Sequence, residues 1–431
     1  MNPKRWPAAA LLLLLSLVLP ARGQEYEFDV GEFTRKPFTL GGYLEARPFF
    51  ALLNADSPFF TLATYDRAAR TTLVEGAGAL LADLSYQKGL FEAVLEPYVE
   101  GVLSPLGSSA EARLFQGYAA LKPSASLTVY AGKKALRWGK GYAWSPTAVV
   151  ERPKNPNEPD LAREGYWMLT ADYTKSFGGA LKTLSITPVV IPVYGSMNGS
   201  YGRSDGLNFA AKIYLLLLDT DIDVVFAAGK SRGPRLGLDL SRNLRSNWEV
   251  HGEVALLWDV ERRVVDAEGM IWSERFDAVS ALAGLRYLSR AETTYILEVH
   301  HNGLGFARSA MAAFDAFVAA GYERYVSLGD DSLLRQAGEL ESYGGFTPMT
   351  DYAFLRVVQK DPFDILYWTP AATVIYNLSD GSASLAPELA YEGITNWELR
   401  LKASILTGRA GEEFREKRNR VRLELRVRHF F

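Results

Sequence analysis

The stretch Arg420-Val421-Arg422-Leu423-Glu424-Leu425-Arg426-Val427-Arg428-His429-Phe430-Phe431 decides how the rest of the chain is read. Successive side chains of an extended strand point to opposite faces, so Val421, Leu423, Leu425 and Val427 share one face while four arginines and Glu424 share the other. A strand in a soluble sandwich also alternates. It hides its apolar face, however, and its outer face is seldom this charged on strand after strand.

Outward from this stretch the same period of two recurs. Trp397, Leu399, Leu401, Ala403 and Ile405 alternate with Glu398, Arg400, Lys402 and Ser404; Trp248, Val250, Val254, Leu256 and Trp258 with Glu249, His251, Glu253 and Asp259; Phe91, Ala93, Leu95 and Val99 with Glu92, Glu96, Tyr98 and Glu100. Followed along the chain, the pattern predicts eighteen strands, at 38–50, 72–87, 89–102, 112–122, 125–138, 165–177, 179–193, 205–218, 220–230, 234–243, 246–260, 274–288, 292–305, 350–360, 364–378, 382–392, 396–408 and 417–431. Every second connection is tight, as at Gln87-Lys88-Gly89, Phe177-Gly178-Gly179 and Leu218-Asp219-Thr220. The intervening ones are mostly long, at 51–71, 103–111, 139–164, 194–204, 261–273, 306–349 and 409–416.

Short turns at one end and long loops at the other describe an all-β fold: a transmembrane antiparallel up-and-down β-barrel of about 18 strands, with long extracellular loops and short periplasmic turns. An even strand number puts both termini on the periplasmic side. Closure has a physical cause, since lipid offers no hydrogen bonds and each strand amide and carbonyl must be met by another strand. Tyr86, Trp167, Tyr173, Trp248, Trp258, Tyr287, Trp397 and Phe431, near strand ends, suit an interfacial aromatic belt. Pro188, Pro192, Pro370 and Pro387 each remove a ladder donor, which predicts bulges or shifted registers there.

Length alone, 431 residues, suggests two or three soluble domains at roughly 100–200 residues each; the alternation replaces them with one closed sheet. The absence of cysteine excludes a disulfide framework, a thiolate metal site and an acylated lipoprotein cysteine. With 47 Lys+Arg against 50 Asp+Glu there is no basic excess to bind nucleic acid. Residues 1–23 read as a signal peptide: Lys4 and Arg5, an apolar run from Ala8 to Leu19 broken only by Ser16, then Ala21 and Gly23 before Gln24. The run is shorter than the about 20 apolar residues of a spanning helix. Residues 24–37 are expected to be a periplasmic N-terminal extension and 38–431 a single outer-membrane barrel.

Two short pieces carry a likeness to known proteins. Gly132-Lys133-Lys134-Ala135-Leu136-Arg137-Trp138-Gly139-Lys140-Gly141-Tyr142-Ala143-Trp144-Ser145-Pro146 runs on to Pro153-Lys154-Asn155-Pro156-Asn157-Glu158-Pro159, and Asn302-Gly303-Leu304-Gly305 tops the thirteenth strand. In architecture over essentially the whole mature chain, and in these pieces, the sequence resembles the bacterial outer-membrane porins; the first piece is similar to a segment of porin-like families that have no assigned substrate. The resemblance implies a non-enzymatic channel for passive diffusion of small hydrophilic solutes or ions in the outer membrane of a Gram-negative bacterium. It also implies contact with outer-membrane lipid and lipopolysaccharide, and presentation of the terminal Phe431 to the barrel assembly machinery. In general porins the third extracellular loop folds inward. By count that loop is 139–164, so the constriction is expected at Lys140, Trp144, Glu151, Arg152, Lys154, Glu158 and Asp160.

An interior too wide for side chains to fill leaves an aqueous channel, and its wall is expected to be charged. Arg400, Lys402, Arg418, Arg420, Arg422, Arg426 and Arg428 make a basic strip; Glu75, Asp83, Glu92, Glu96 and Glu100 make an acidic one, and Glu388 and Glu392 add a second. Opposed ladders would create a transverse field that sets ion preference; equally, the charges could pair with neighbours on adjacent strands. The 306–349 loop carries Met311, Phe314, Val318, Tyr322, Tyr325, Leu333, Leu334 and Leu340 at helical spacing, which predicts two short helices over the mouth.

An outer-membrane lipase would need a Ser–His pair on the barrel's outer face, and His300, His301, Asn302 and Ser309 do not have the spacing. No phosphate loop, HExxH helix or EF-hand occurs, and four His with no Cys make metal or haem ligation by this chain unexpected, so no cofactor is assigned. Two other readings fit a barrel of this size: a sheath around a multihaem cytochrome partner, and an exporter of an anionic polysaccharide.

Overall fold

The computed structural model describes residues 37–431 apart from Ala69, Ala162 and Arg203. The expected signal peptide and all but Pro37 of the expected extension lie outside the described residues. Eighteen strands form, each close to its sequence-based position: β1 Phe38–Leu53, β2 Thr72–Lys88, β3 Phe91–Leu103, β4 Ser109–Ser124, β5 Leu127–Lys134, β6 Tyr166–Ser176, β7 Leu181–Val193, β8 Gly206–Leu217, β9 Thr220–Gly229, β10 Arg235–Arg245, β11 Trp248–Val265, β12 Ile271–Leu288, β13 Thr293–His301, β14 Asp351–Gln359, β15 Trp368–Asn377, β16 Ala383–Tyr391, β17 Trp397–Thr407 and β18 Asn419–Phe430. Each pairs antiparallel with its sequence neighbours, and β1 pairs with both β2 and β18, so the sheet closes on itself without an edge.

Alternation sorts the wall into two faces. Val74 and Leu169 point outward and are 65% and 53% exposed, whereas Asp239 and Glu298 point inward and are 1% and 0% exposed. Leu236, Leu238 and Leu240 repeat the outward phase on β10, as do Leu423 and Leu425 on β18. A sheet that is apolar outside and polar inside has hydrocarbon as its compatible surrounding, because in water the outer wall would be one continuous apolar patch. Tyr86, Trp167, Tyr173, Trp248, Trp258 and Phe431 are exposed on this outer surface, and Trp248 packs on Tyr287 with ring centroids 4.6 Å apart.

Pro188, Pro192, Pro370 and Pro387 produce no bulge. Pro188 stays in register opposite Ala211 of β8, and on its other side the β6 ladder lapses and resumes in the same register. Pro387 behaves likewise, paired with Ala372 of β15 while the β17 ladder lapses beside it. Each proline thus spends its missing donor on one neighbour only, and the closed sheet holds the register on both sides. Prolines that do sit at register shifts are Pro97, after Glu96 in the β3–β4 ladder, and Pro123, between Leu121 and Ser124 in the β4–β5 ladder.

Loop lengths differ from expectation in several places: the turn expected at 361–363 runs over residues 360–367, and the 103–111 loop shortens to 104–108. Strands β11 and β12 extend to Val265 and from Ile271, which reduces the expected 261–273 loop to residues 266–270. Conversely β5 stops at Lys134, because the side chain of Gln116, not a strand partner, takes the Ala135 amide at 3.0 Å. The connection from β5 to β6 therefore begins at residue 135.

At the loop end, α1 (Pro58–Thr64) is capped by Ser57, whose side-chain oxygen accepts from the Phe59 and Phe60 amides. The 302–350 connection forms α2 (Arg308–Leu328), closed by the left-handed Gly329 at φ 70°, and α3 (Ser332–Gly338). Met311, Phe314, Val318, Leu334 and Leu340 are buried as the spacing predicts, while Tyr322 is exposed. Phe306 and Phe314 sandwich Tyr343 at 4.0 and 4.5 Å, and this stack packs with Trp144 and Val264 into one apolar cluster. The two helices are thereby fixed to the loop end of the wall and to the 135–165 segment.

Candidate functional site

The 135–165 segment lies inside the barrel, because its partners are the inward-facing side chains of strands on several sides. Three wall carboxylates hold its first half. Glu253 of β11 accepts the Lys140 and Gly141 amides at 2.6 Å each, and with its other oxygen the Thr147 amide at 3.0 Å and hydroxyl at 2.9 Å. Glu298 of β13 accepts the Tyr142 and Ala143 amides, and its first oxygen also meets His251 Nε2 at 2.9 Å. Asp239 of β10 accepts the Thr147 hydroxyl at 3.0 Å. Charged acceptors buried at this depth require such donors, and the segment supplies them chiefly from its backbone amides.

This wrapping explains the glycines of the motif. Gly139 sits at φ 85°, and a Cβ there would come within 2.9 Å of Glu253 Oε1; a Cβ on Gly141 would lie 2.1 Å from the Trp144 carbonyl. Lys140 adds an ion pair to Asp223 of β9 at 2.8 Å, and Trp144 stacks on His300 with centroids 5.0 Å apart. His300 is thus a buried packing partner, and His301 meets Asp351 at 2.7 Å.

The second half of the segment is held partly by itself and partly by the opposite wall. Glu151 accepts the Trp138 amide and pairs with Arg163 at 2.7 Å, and Arg152 pairs with Glu164 at 3.2 Å. Burial pushes the Glu151 carboxyl above its ordinary range despite Arg163, and burial lowers the Lys154 ammonium, which donates to the Gly141 carbonyl. Glu158 reaches β17 and β18, pairing with Lys402 at 3.5 Å and Arg426 at 2.8 Å. Burial alone would raise the Glu158 carboxyl; Arg426 and Lys402 outweigh it and hold it below its usual range. Asp160 accepts from the Tyr142 hydroxyl at 2.8 Å.

The wall charges are placed differently from opposed ladders. Closure makes β18 the neighbour of β1 and β1 the neighbour of β2, so the basic strip and the acidic strip lie side by side with only β1 between them. Pairing takes up most of their charge. Arg428 meets Glu45 at 2.9 Å, Arg400 meets Glu398 at 2.9 Å and Glu388 at 3.5 Å, and Arg422 meets Glu424 at 2.6 Å. Lys122 meets Glu92 at 2.7 Å, Arg113 meets Glu100 at 3.3 Å, and Glu75 accepts from Ser104. Glu392 is not on the wall: β16 ends at Tyr391, and Glu392 is exposed in the turn that follows. Arg420 is exposed and makes no ion pair among the described residues.

The sequence reading missed Asp223, Asp239, Glu253 and Glu298 as anchors. A signal was present, because the inward phase of β9, β10, β11 and β13 carries these carboxylates, and β9 and β13 have no Lys or Arg of their own. Between the segment and the wall of β2–β4 a cavity of about 510 Å³ remains, lined by Asp83, Glu96, Arg137, Lys154 and Tyr142 among others. On the far side of the segment a smaller one of about 70 Å³ adjoins Arg356, Arg400, Arg426 and Arg428.

The fold is that of a closed eighteen-stranded antiparallel barrel whose interior is occupied by one of its own connections. No protein-family model matches the chain, and no curated protein matches it in sequence. Solved structures do match in fold. Pseudomonas aeruginosa OccK5 (OpdH) superposes with a TM-score of 0.53 over 91% of this chain and 98% of its own, at 12% identity. P. aeruginosa OccK11 (OpdR) gives 0.52 over 91% and 96%, at 13% identity. OccK2 (OpdF) of the same organism, solved in complex with glucuronate, gives 0.51 over 91% and 98%, at 12% identity.

Proposed function

We propose that the protein is a porin-like channel of the Gram-negative outer membrane that passes small hydrophilic solutes by diffusion, with the 135–165 segment as its constriction. The observation that carries this reading is the segment's position. It is latched to buried wall carboxylates on one side and to Arg426 and Lys402 on the other, yet it leaves a polar cavity of about 510 Å³ beside β2–β4. A structural core would have filled that space with apolar side chains. The fold shared with the Pseudomonas porins supports the membrane setting, and the glucuronate bound to one of them supports a small polar solute. The outward apolar phase supports contact with outer-membrane lipid and lipopolysaccharide, and the exposed Phe431, whose amide donates to the Gly42 carbonyl at 3.1 Å, supports its reading as an assembly signal.

The two other readings fare worse. A cytochrome sheath needs an empty interior, and here the chain's own segment crosses it. An anionic polysaccharide needs a run of free arginines, and those of β17 and β18 other than Arg420 face Glu45, Glu158, Glu398 and Glu424. Purified protein in planar bilayers should give discrete conductance steps, and removing residues 143–160 should enlarge them. A folded barrel that conducts nothing would overturn the channel reading.

A further inference from the structure

Most charges that line the 510 Å³ cavity are already satisfied. Glu151 pairs with Arg163, Arg152 with Glu164 and Lys140 with Asp223, while Asp160 accepts from Tyr142 and Lys154 donates to the Gly141 carbonyl. Three are not closed in this way. Arg137, the first charged side chain of the inward segment, is exposed to the cavity and makes neither an ion pair nor a hydrogen bond among the described residues. Asp83 of β2, on the facing wall, is likewise exposed and unpaired. Glu96 of β3 accepts only from the neutral Gln116 amide, at 2.8 Å.

Asp83, Glu96 and Arg137 line the same cavity, and Lys134 adds its charge to the field at Glu96 from β5. No carboxylate–cation contact among these four groups closes to 4 Å. Lys134 is held instead against the Tyr118 and Tyr130 rings, 4.1 Å from each centroid. Elsewhere on this wall opposite charges collapse onto each other, as Lys122 does on Glu92. Here Arg137 is kept apart from Asp83 and Glu96 in the cavity that all three line. A guanidinium and a carboxylate separated by a gap complement a molecule that carries both an acid and an amine.

We propose that this cavity is a selective site for zwitterionic solutes of the α-amino acid class, with Arg137 receiving the solute carboxylate and Asp83 and Glu96 receiving its ammonium group. The proposal rests on the channel reading and deepens it. A simple anion would meet Arg137 but face two uncompensated carboxylates; a simple amine would meet the reverse.

The test uses three solutes of one skeleton: norvaline, pentanoate, which lacks the amine, and butylamine, which lacks the acid. Full-length protein is reconstituted in liposomes for permeation, and studied in detergent by saturation-transfer NMR for binding. Norvaline should permeate and bind best. Arg137→Gln should weaken norvaline binding about tenfold, the loss of one charge-assisted contact, and should bring norvaline near butylamine. The double variant Asp83→Asn with Glu96→Gln should weaken norvaline binding comparably and bring it near pentanoate. Heat-modifiable gel migration checks that each variant is a folded barrel. The proposal is overturned if pentanoate or butylamine matches norvaline in the unaltered protein, or if neither variant changes the ranking. If salt conductance is absent while norvaline still binds and Arg137→Gln abolishes that binding, the site stands and the channel reading falls; conductance without norvaline preference has the opposite meaning.

Discussion

The Arg426 guanidinium on β18 donates to the Glu158 carboxylate of the inward segment at 2.8 Å across 268 positions of sequence. The same guanidinium lies 3.1 Å from Glu424 and 3.8 Å from Glu45, and its side chain is 4% exposed. One cation therefore serves three carboxylates, and removing it leaves all three buried with less compensation. Arg426→Gln is expected to destabilise the barrel by about 3 kcal/mol, since loss of one partner of a buried pair costs far more than the pair contributes. Glu158→Gln should cost less, because Arg426 keeps two acceptors. Urea unfolding in lipid vesicles, followed by gel migration, gives both values; equal effects would mean that the contact does not anchor the segment. In bilayers, Arg426→Gln should also shift the reversal potential toward cations.

Glu253 and Glu298 each hold two or more donors of residues 140–147. A neutral amide at either position keeps the shape but offers one acceptor oxygen and brings a donor to face backbone N–H groups. Glu253→Gln and Glu298→Gln should each loosen the segment and raise both mean conductance and open-channel noise. The outward neighbour Val254→Thr, which touches no part of the segment, should leave both unchanged. Quiet traces of unaltered size from the two Gln variants would show that the segment is held by something else.

Leu401 of β17 points outward and is 46% exposed, while its neighbour Lys402 points inward to Glu158. Arginine at the outward position should destabilise the membrane-inserted barrel by roughly 2–4 kcal/mol, the cost of placing that charge near the bilayer centre. Arg420→Lys, by contrast, should be almost without effect, because that side chain is exposed and stays cationic. Refolding titrations into vesicles of short-chain lipid give the comparison, and a neutral Leu401→Arg would mean that this face does not meet hydrocarbon.

How much of this could be read from the sequence follows from the range of each interaction. The strand alternation is local, so β18 or β11 announces its two faces from a dozen residues, and all eighteen strands were placed by it. Closure is not local. The neighbourhood of β18 and β1, and hence the pairing of Arg428 with Glu45 in place of opposed ladders, exists only once the ends of the sheet meet. The anchoring of Lys140, Gly141 and Tyr142 by Glu253 and Glu298 is longer in range still. It runs through backbone amides, which carry no residue-type signature, and only the positive φ of Gly139 leaves a trace in the motif. Pro188 and Pro387 misled because a single strand predicts a defect where a closed sheet tolerates one absent donor.

Asp315 on α2 supplies a pH dependence to the helices at the loop end. Its Oδ1 is buried without a hydrogen-bond partner, and burial, reinforced by the facing Glu416, pushes its carboxyl up to about 7. A carboxyl raised above its ordinary range is favoured in the docked state when protonated. The docking of α2 is therefore strongest below the ordinary value near 4 and weakens as the pH rises through about 7. Hydrogen exchange of residues 308–338 should accordingly be slower at pH 5 than at pH 8, after correction for intrinsic rates, while the strand amides of β11 and β12 change little. Asp315→Asn, which keeps the shape and removes the ionisation, should flatten that dependence and leave the helix protected at both values. If the unaltered protein shows no difference between the two conditions, or if Asp315→Asn retains one, the ionisation of this carboxyl does not govern how firmly the helix sits.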